Sequence, residues 1–302
     1  MLRYPDLSAS GELGRRARRA VDGLASCRVC PHECGVNRTA GERGICRAGA
    51  LPRVASAGPH FGEEPPLVGE GGSGTVFFAW CSLRCVYCQN ADLSHLGHGE
   101  DVSVDELADI FLDVQRTGCE NLNLVSPTHY APQILAALGL AASAGLDLPL
   151  VWNTGGYESL HTLALLDGVV DVYMPDVKYA DPGMAARLSG AADYPKRAFA
   201  AIREMHRQVG DLTIDRRKVA RRGLLVRHLV LPDDLAGTHE VMRFIAREIS
   251  PGTYVNVMAQ YRPCHRAREF PELSRGITAD EYASALESAR RYGLHRLARN
   301  GA

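Results

Sequence analysis

From residue 75 onward, short β-branched or apolar runs alternate with stretches whose apolar residues recur at i, i+3 and i+4. That is the sequence form of repeated βα units built on a parallel sheet. The runs predict strands at 75–80, 121–125, 148–153, 170–174, 224–231 and 253–258. Helical periodicity covers 104–117, 132–144, 159–166, 196–209, 238–249 and 279–292. Ser103, with Glu106 three residues on, supplies a capping box for the first of these helices. Six such units are too few to close an eight-stranded barrel, so the pattern predicts an α/β fold, an open partial (β/α)6 barrel.

The periodicity is weaker before residue 70. Turn formers cluster at Gly58-Pro59, at Pro65-Pro66 and along Gly69-Glu70-Gly71-Gly72-Ser73-Gly74. The expected organisation is an irregular Cys-rich N-terminal module over 1–70 and the barrel over 71–302. The glycine run lacks the Gly-Lys-Ser/Thr ending of a phosphate loop and precedes a strand rather than a helix, so it is expected to shape the barrel's entrance. The Arg-rich stretch 14–25 is interrupted by acids (Asp6, Glu12 and Asp22 lie in or near it), which argues for an opening surface helix over a transit peptide.

Composition adds exclusions. With 46% hydrophobic and 23% charged residues in 302, the chain is neither disordered nor fibrous. A net charge of -1 gives no broad basic field for nucleic acid. No apolar run approaches membrane-spanning length, and a cytoplasmic location is the expectation. Nine cysteines at uneven spacing fit a disulfide framework poorly. Seven of them form two sets, Cys27/Cys30/Cys34/Cys46 and Cys81/Cys85/Cys88, as ligands in a reducing compartment would. Cys119 and Cys264 are isolated and read as small buried apolar residues.

The second set lies in Cys81-Ser82-Leu83-Arg84-Cys85-Val86-Tyr87-Cys88-Gln89-Asn90, directly after the first predicted strand. Spacings of three and two residues in a loop let three sulfurs converge on three irons of a 4Fe-4S cluster and leave the fourth iron open. An open coordination position is how a metal centre binds and activates a ligand. A zinc site, or a four-Cys electron-transfer cluster with a distant last ligand, is the competing reading. In the first set, Cys27, Cys30, Cys34 and Cys46 can supply four soft ligands to zinc or to a second iron-sulfur cluster.

At these residues the sequence resembles the radical S-adenosylmethionine (SAM) superfamily. The stretches His60-Phe61-Gly62-Glu63-Glu64-Pro65-Pro66-Leu67, Gly72-Ser73-Gly74-Thr75-Val76-Phe77-Phe78 and Cys88-Gln89-Asn90 resemble the uncharacterised homologues of pyruvate formate-lyase activating enzyme. The resemblance covers most of the chain. It implies a 4Fe-4S cluster that reductively cleaves SAM to methionine and a 5′-deoxyadenosyl radical, which abstracts a hydrogen atom. It also implies an electron donor such as flavodoxin or ferredoxin, and a place for Tyr87 against the adenine.

Residues at C-terminal strand ends line the site of a βα barrel. Ser126, Thr128 and His129 stand where the family commonly has a Gly-Gly-Glu-like turn for the SAM amino group. This chain lacks that turn, and a cap for the following helix explains them equally. Asn153-Thr154-Gly155-Gly156-Tyr157 resembles the activating enzymes' Thr-Asn-Gly turn, and Asp176-Val177-Lys178 their Asp-x-Lys. An acid there can accept from ribose hydroxyls and a lysine can meet a carboxylate. Arg227 and Gln260 end the last two strands within reach of SAM or substrate, although an Arg227 that merely balances Asp176 satisfies the same sequence. His228 reads as a structural histidine. Three functions fit: activase of a glycyl-radical enzyme, radical SAM oxidoreductase on a small molecule or peptide, or a non-enzymatic iron-sulfur electron carrier.

Overall fold

A computed structural model describes residues 4–298. Among them ten strands form one sheet: β1 Arg53–His60, β2 Ser73–Phe78, β3 Glu100–Asp101, β4 Leu122–Val125, β5 Leu150–Thr154, β6 Val172–Pro175, β7 Thr213–Ile214, β8 Ala220–Leu229, β9 Tyr254–Met258 and β10 Arg296–Leu297. Their order is β10-β9-β8-β6-β5-β4-β2-β1-β3, with β7 paired to β8. The six expected strands are β2, β4, β5, β6, β8 and β9, all mutually parallel and in chain order, as right-handed βα crossovers require. The sheet does not close, so the partial barrel is the fold.

β1 lies before residue 71 and joins the same sheet, antiparallel to β2. Its residues alternate little between buried and exposed, which is why no strand is legible there. The helices Val104–Arg116, Ala131–Ser143, Leu160–Leu166, Tyr194–Val209 and Ala279–Arg291 lie where periodicity puts them, and Ser103 and Glu106 form the capping box. The helix expected over 238–249 runs from Thr238 to Phe244 and finishes as a π turn, Ile245–Ile249. The opening helix Glu12–Asp22 is not a plain surface helix. Leu13, Ala17 and Ala20 are buried, and Arg16 donates to the carbonyls of Leu165 and Asp167, fastening it to the barrel's outer layer.

Successive residues of a strand point to opposite faces. On the convex face Leu124, Trp152, Tyr173, Leu224 and Val257 pack under the helices in the main core. On the concave face Val151, Val172, Met174 and Leu225 enclose Leu67, which the short helix Pro65–Val68 carries into the lumen. Asn121 Nδ2 donates to the Leu67 carbonyl at 2.7 Å and holds this plug in place. Burying one leucine this completely contributes about 1.5–3 kcal/mol. The plug fills the lumen near the N-terminal strand ends and leaves the C-terminal ends open. The glycine run 69–74 therefore does not border the entrance as expected. It precedes β2, at the opposite end of that strand from the cysteine loop. No helix among the described residues is long and apolar enough to cross a membrane.

Candidate functional site

The loop after β2 is held on two sides. The Arg84 and Val86 amides donate to the Ser189 and Leu188 carbonyls at 3.0 and 2.9 Å, and the Arg266 amide donates to the Val86 carbonyl at 2.8 Å. So anchored, the loop presents Cys81, Cys85 and Cys88 to one cavity of about 270 Å³ at the C-terminal strand ends. Each sulfur has a nearby polar group: the Leu83 amide 3.4 Å from Cys81, the Ser189 hydroxyl 2.9 Å from Cys85 and the Ser94 hydroxyl 3.0 Å from Cys88. Burial pushes the Cys81 thiol up to about 12, and Cys85 and Cys88 add to the push. Burial also raises Cys85, against the pull of Lys178. Thiols such as Cys81 and Cys85, which resist ionising alone, become thiolates when a cationic metal group takes the charge.

Among the described residues, no three His, Cys, Asp or Glu side chains are gathered closely enough to share one metal ion. The loop is thus not a preformed single-ion site. A cubane asks for something different, one thiolate at each of three irons, and three thiols facing one cavity fit that demand.

The facing wall is an ionic network. Asp176, just past β6, accepts from Arg227 Nε and Lys178 Nζ, each at 2.8 Å. Arg227 also donates to Asn153 Oδ1 at 2.7 Å and stands 3.8 Å from Glu63 and 3.9 Å from Glu64. Glu64 accepts from Asn256 Nδ2 at 2.7 Å. Burial opposes ionisation of Asp176, but Arg227 and Lys178 outweigh it and hold the carboxyl at about 2. Lys178 stays charged because Asp176 overcomes its burial. Glu64 is pushed up by burial, opposed by Arg227. Gly156, at φ 78°, closes the turn after β5. A Cβ there would overlap the Asp176 carbonyl, so the second glycine lets the two strand-end loops touch.

The cavity brings together Cys81, Cys85, Cys88, Tyr87, Ser126, Asn153, Asp176, Lys178, Arg227 and Gln260. Tyr87 packs edge-to-face with Tyr179 and Tyr261. Thr128 and His129 are not part of its lining. A 3-10 turn, Thr128–Tyr130, rotates both into the protein. Thr128 donates to Glu158 Oε1 at 2.6 Å, and His129 Nε2 lies 2.9 Å from the Ala79 carbonyl. His228 is structural, spanning the Val177 carbonyl and the Thr238 hydroxyl. Cys119 is buried, as expected, whereas Cys264 is only partly so.

In the N-terminal set Cys27, Cys30 and Cys46 are buried and Cys34 is exposed. The neighbouring Cys30 is the main cause that lowers the Cys46 thiol below its ordinary value. This segment is fastened to the cysteine loop: His32 Nε2 lies 2.7 Å from the Ser82 carbonyl, and the Arg84 guanidinium donates to the Ile45 carbonyl.

Glu63, Glu64 and Glu158 were not singled out from sequence. The first two sit in a turn-rich stretch with no periodicity, and only the plug brings them to Arg227, more than 160 residues away. Glu158 accepts from Thr128, Thr154 and Trp152, and its Oε2 is buried without a hydrogen-bond partner. A glutamate just before the Ser159 helix start resembles an ordinary surface residue.

Uncharacterized protein MJ0674 of Methanocaldococcus jannaschii is 34% identical over 279 residues, 89% of this chain and 75% of that protein. Among solved structures, Streptococcus suis SuiB bound to precursor peptide SuiA is similar at 13% identity and a TM-score of 0.48, over 74% of this chain and 47% of that one. A radical SAM methyltransferase from Sphaerobacter thermophilus is similar at the same identity and TM-score, over 73% of this chain and 64% of that one. The chain thus spans less than two thirds of either solved protein. Residues 75–216, from β2 through the three cysteines and Lys178 and a little under half of the chain, match the Radical SAM superfamily domain.

Proposed function

We propose that Cys81, Cys85 and Cys88 hold three irons of a 4Fe-4S cluster, that SAM binds at the fourth, and that the chain is a hydrogen-abstracting radical SAM enzyme. The carrying observation is the sharing of one cavity by the three thiols and the Asp176/Lys178/Arg227 network. A cluster held by Cys81, Cys85 and Cys88 would supply the electron for reductive cleavage of SAM. The chain's own residues bind and orient. Lys178 offers a point charge to a carboxylate, and Asp176, kept ionised, offers acceptors to hydroxyls. Asn153 and Gln260 add neutral hydrogen-bonding groups at the rim, Ser126 adds a hydroxyl, and Tyr87 adds an apolar face. Arg227, fixed by three acids and Asn153, keeps Asp176 in register with the cavity.

An electron carrier with no ligand to activate has no need of this charged wall, so the enzyme reading is favoured. For the hydrogen donor, the resemblance to activating enzymes points to the backbone glycine of a glycyl-radical enzyme. A small molecule or peptide would use the same thiols and wall. Cys27, Cys30, Cys34 and Cys46 are the candidate second soft donor set, for zinc or another cluster, although no three of them are gathered around one ion position in this structure.

The ligand assignment is tested by anaerobic reconstitution of the wild type and Cys88→Ala, followed by iron analysis and EPR after reduction. Cys88→Ala is expected to lose the SAM-responsive cluster signal while any metal at the N-terminal set is retained. A Cys88→Ala protein whose cluster signal still shifts on adding SAM would falsify the assignment.

A further inference from the structure

Between the outer helices lies a second cavity, of about 420 Å³. The opening helix Glu12–Asp22, the segment 23–33 and the first turns of the helices Ala131–Ser143 and Leu160–Leu166 enclose it, and none of its residues lines the strand-end cavity. A volume of this size is ordinary for a small-molecule pocket. The floor is apolar: Val29, Pro132, Leu135 and Leu165 are buried residues that line it.

The polar side carries positive charge from Arg19 and Arg28, with His161 beside them. Among the described residues neither arginine forms an ion pair or donates a side-chain hydrogen bond. Arg15 and Arg16, one turn earlier on the helix that carries Arg19, both pair with Glu12. Glu33 is the one acid of the lining, so with His161 neutral the wall keeps a single net positive charge, which suits a monoanion better than a phosphate dianion. Ser159 completes the set. It stands at the N-cap of the helix Leu160–Leu166, where a serine hydroxyl ordinarily accepts from a backbone amide. Here it caps nothing, and among the described residues it has no hydrogen-bond partner, although the residue is only 4% exposed. Its oxygen is not sealed in the interior, so the hydroxyl opens to the cavity.

Arginine forks match a carboxylate, and an apolar floor beside them selects an anion with a hydrocarbon body over a bare ion. The geometry points to a second ligand site, for a small monocarboxylate with an apolar tail. The carboxylate meets Arg19, Arg28 and the Ser159 hydroxyl, and the tail lies on Val29, Pro132, Leu135 and Leu165. The site stands apart from the cluster reading, but its occupancy bears on the N-terminal cysteines. Segment 23–33, which carries Cys27 and Cys30, is one wall, tied to the barrel by the Thr162 hydroxyl, which donates to the Val29 carbonyl at 2.7 Å. A bound carboxylate bridges that segment to the outer helices and holds it against them.

The test titrates the full chain calorimetrically with octanoate, and with acetate and octanol as probes of the head and the tail alone. Octanoate is expected to bind about tenfold or more tightly than either. In R19E/R28E its affinity is expected to fall about tenfold or more, and R19K/R28K, which keeps the charge and loses the fork, should recover part of it. Ser159→Ala is expected to weaken octanoate binding about threefold while leaving the urea midpoint unchanged, because the hydroxyl makes no bond within the fold. Bound octanoate should also slow amide exchange over residues 23–33. Octanoate that binds no more tightly than octanol, unchanged affinity in R19E/R28E, or displacement of octanoate by an equal concentration of inorganic phosphate overturns the inference. Cys88→Ala should bind octanoate as the wild type does, so failure of the cluster reading and failure of this site are read separately.

Discussion

Asp176 shows how one residue ties fold to site. It lies between Arg227 and Lys178 at the point where β6 opens into the cavity, with both cations at 2.8 Å. Its carboxyl is held below the unfolded value, so the pair's contribution to stability is complete above pH about 4 and is lost as pH falls through about 2. Asp176→Asn leaves Arg227 with its Asn153 hydrogen bond and, as acids, only Glu63 and Glu64, at 3.8 and 3.9 Å. Removing one partner of a buried pair costs several kcal/mol, and the two remaining acids keep the expected loss near the lower bound, about 3 kcal/mol. A urea midpoint unchanged from wild type at pH 7 would show that the pair is not a structural element. At this scale the three cysteines were legible because their spacing carries the chemistry by itself, and Asp176 and Lys178 because alternate residues share a side of an extended segment. Thr128 and His129 were misplaced because a 3-10 turn has no sequence signal that distinguishes it from a loop running along the cavity rim. Glu63 and Glu64 were missed because the contact that gives them a role is entirely tertiary.

At the scale of elements, hydrophobic runs located all six parallel strands and the long helices between them, with boundaries off by a few residues. β1 escaped because a strand with a single buried residue shows no alternation. The close approaches between elements were also illegible, since a glycine looks the same whether it is tight or free. Gly71 and Gly139 separate these cases. A Cβ on Gly71 would overlap the Gly118 carbonyl oxygen, so Gly71→Ala forces the start of β2 away from the turn after the helix Val104–Arg116. The expected cost is about 1–3 kcal/mol. Gly139, inside the helix Ala131–Ser143, has nothing within 4 Å of that position. Gly139→Ala is expected to stabilise by about 0.5–1 kcal/mol through lost unfolded-chain freedom. Chemical denaturation of both variants checks the pair, and shifts of the same sign would contradict the packing described.

Over the whole molecule, the same open sheet does two jobs. Its N-terminal end is sealed by the chain's own plug at Leu67, and its C-terminal end gathers thiols, an acid and bases from six strand ends into one cavity. The cysteine-bearing N-terminal segment leans on the thiol loop through His32 and Arg84, so both cysteine sets sit on the same side of the barrel. The central claim is that this cavity cleaves SAM reductively. It is tested most directly by incubating the anaerobically reconstituted protein with SAM and dithionite and quantifying the products. Equal amounts of 5′-deoxyadenosine and methionine, both abolished in Cys88→Ala, are the predicted result. A protein carrying a reduced cluster that forms neither product would contradict it.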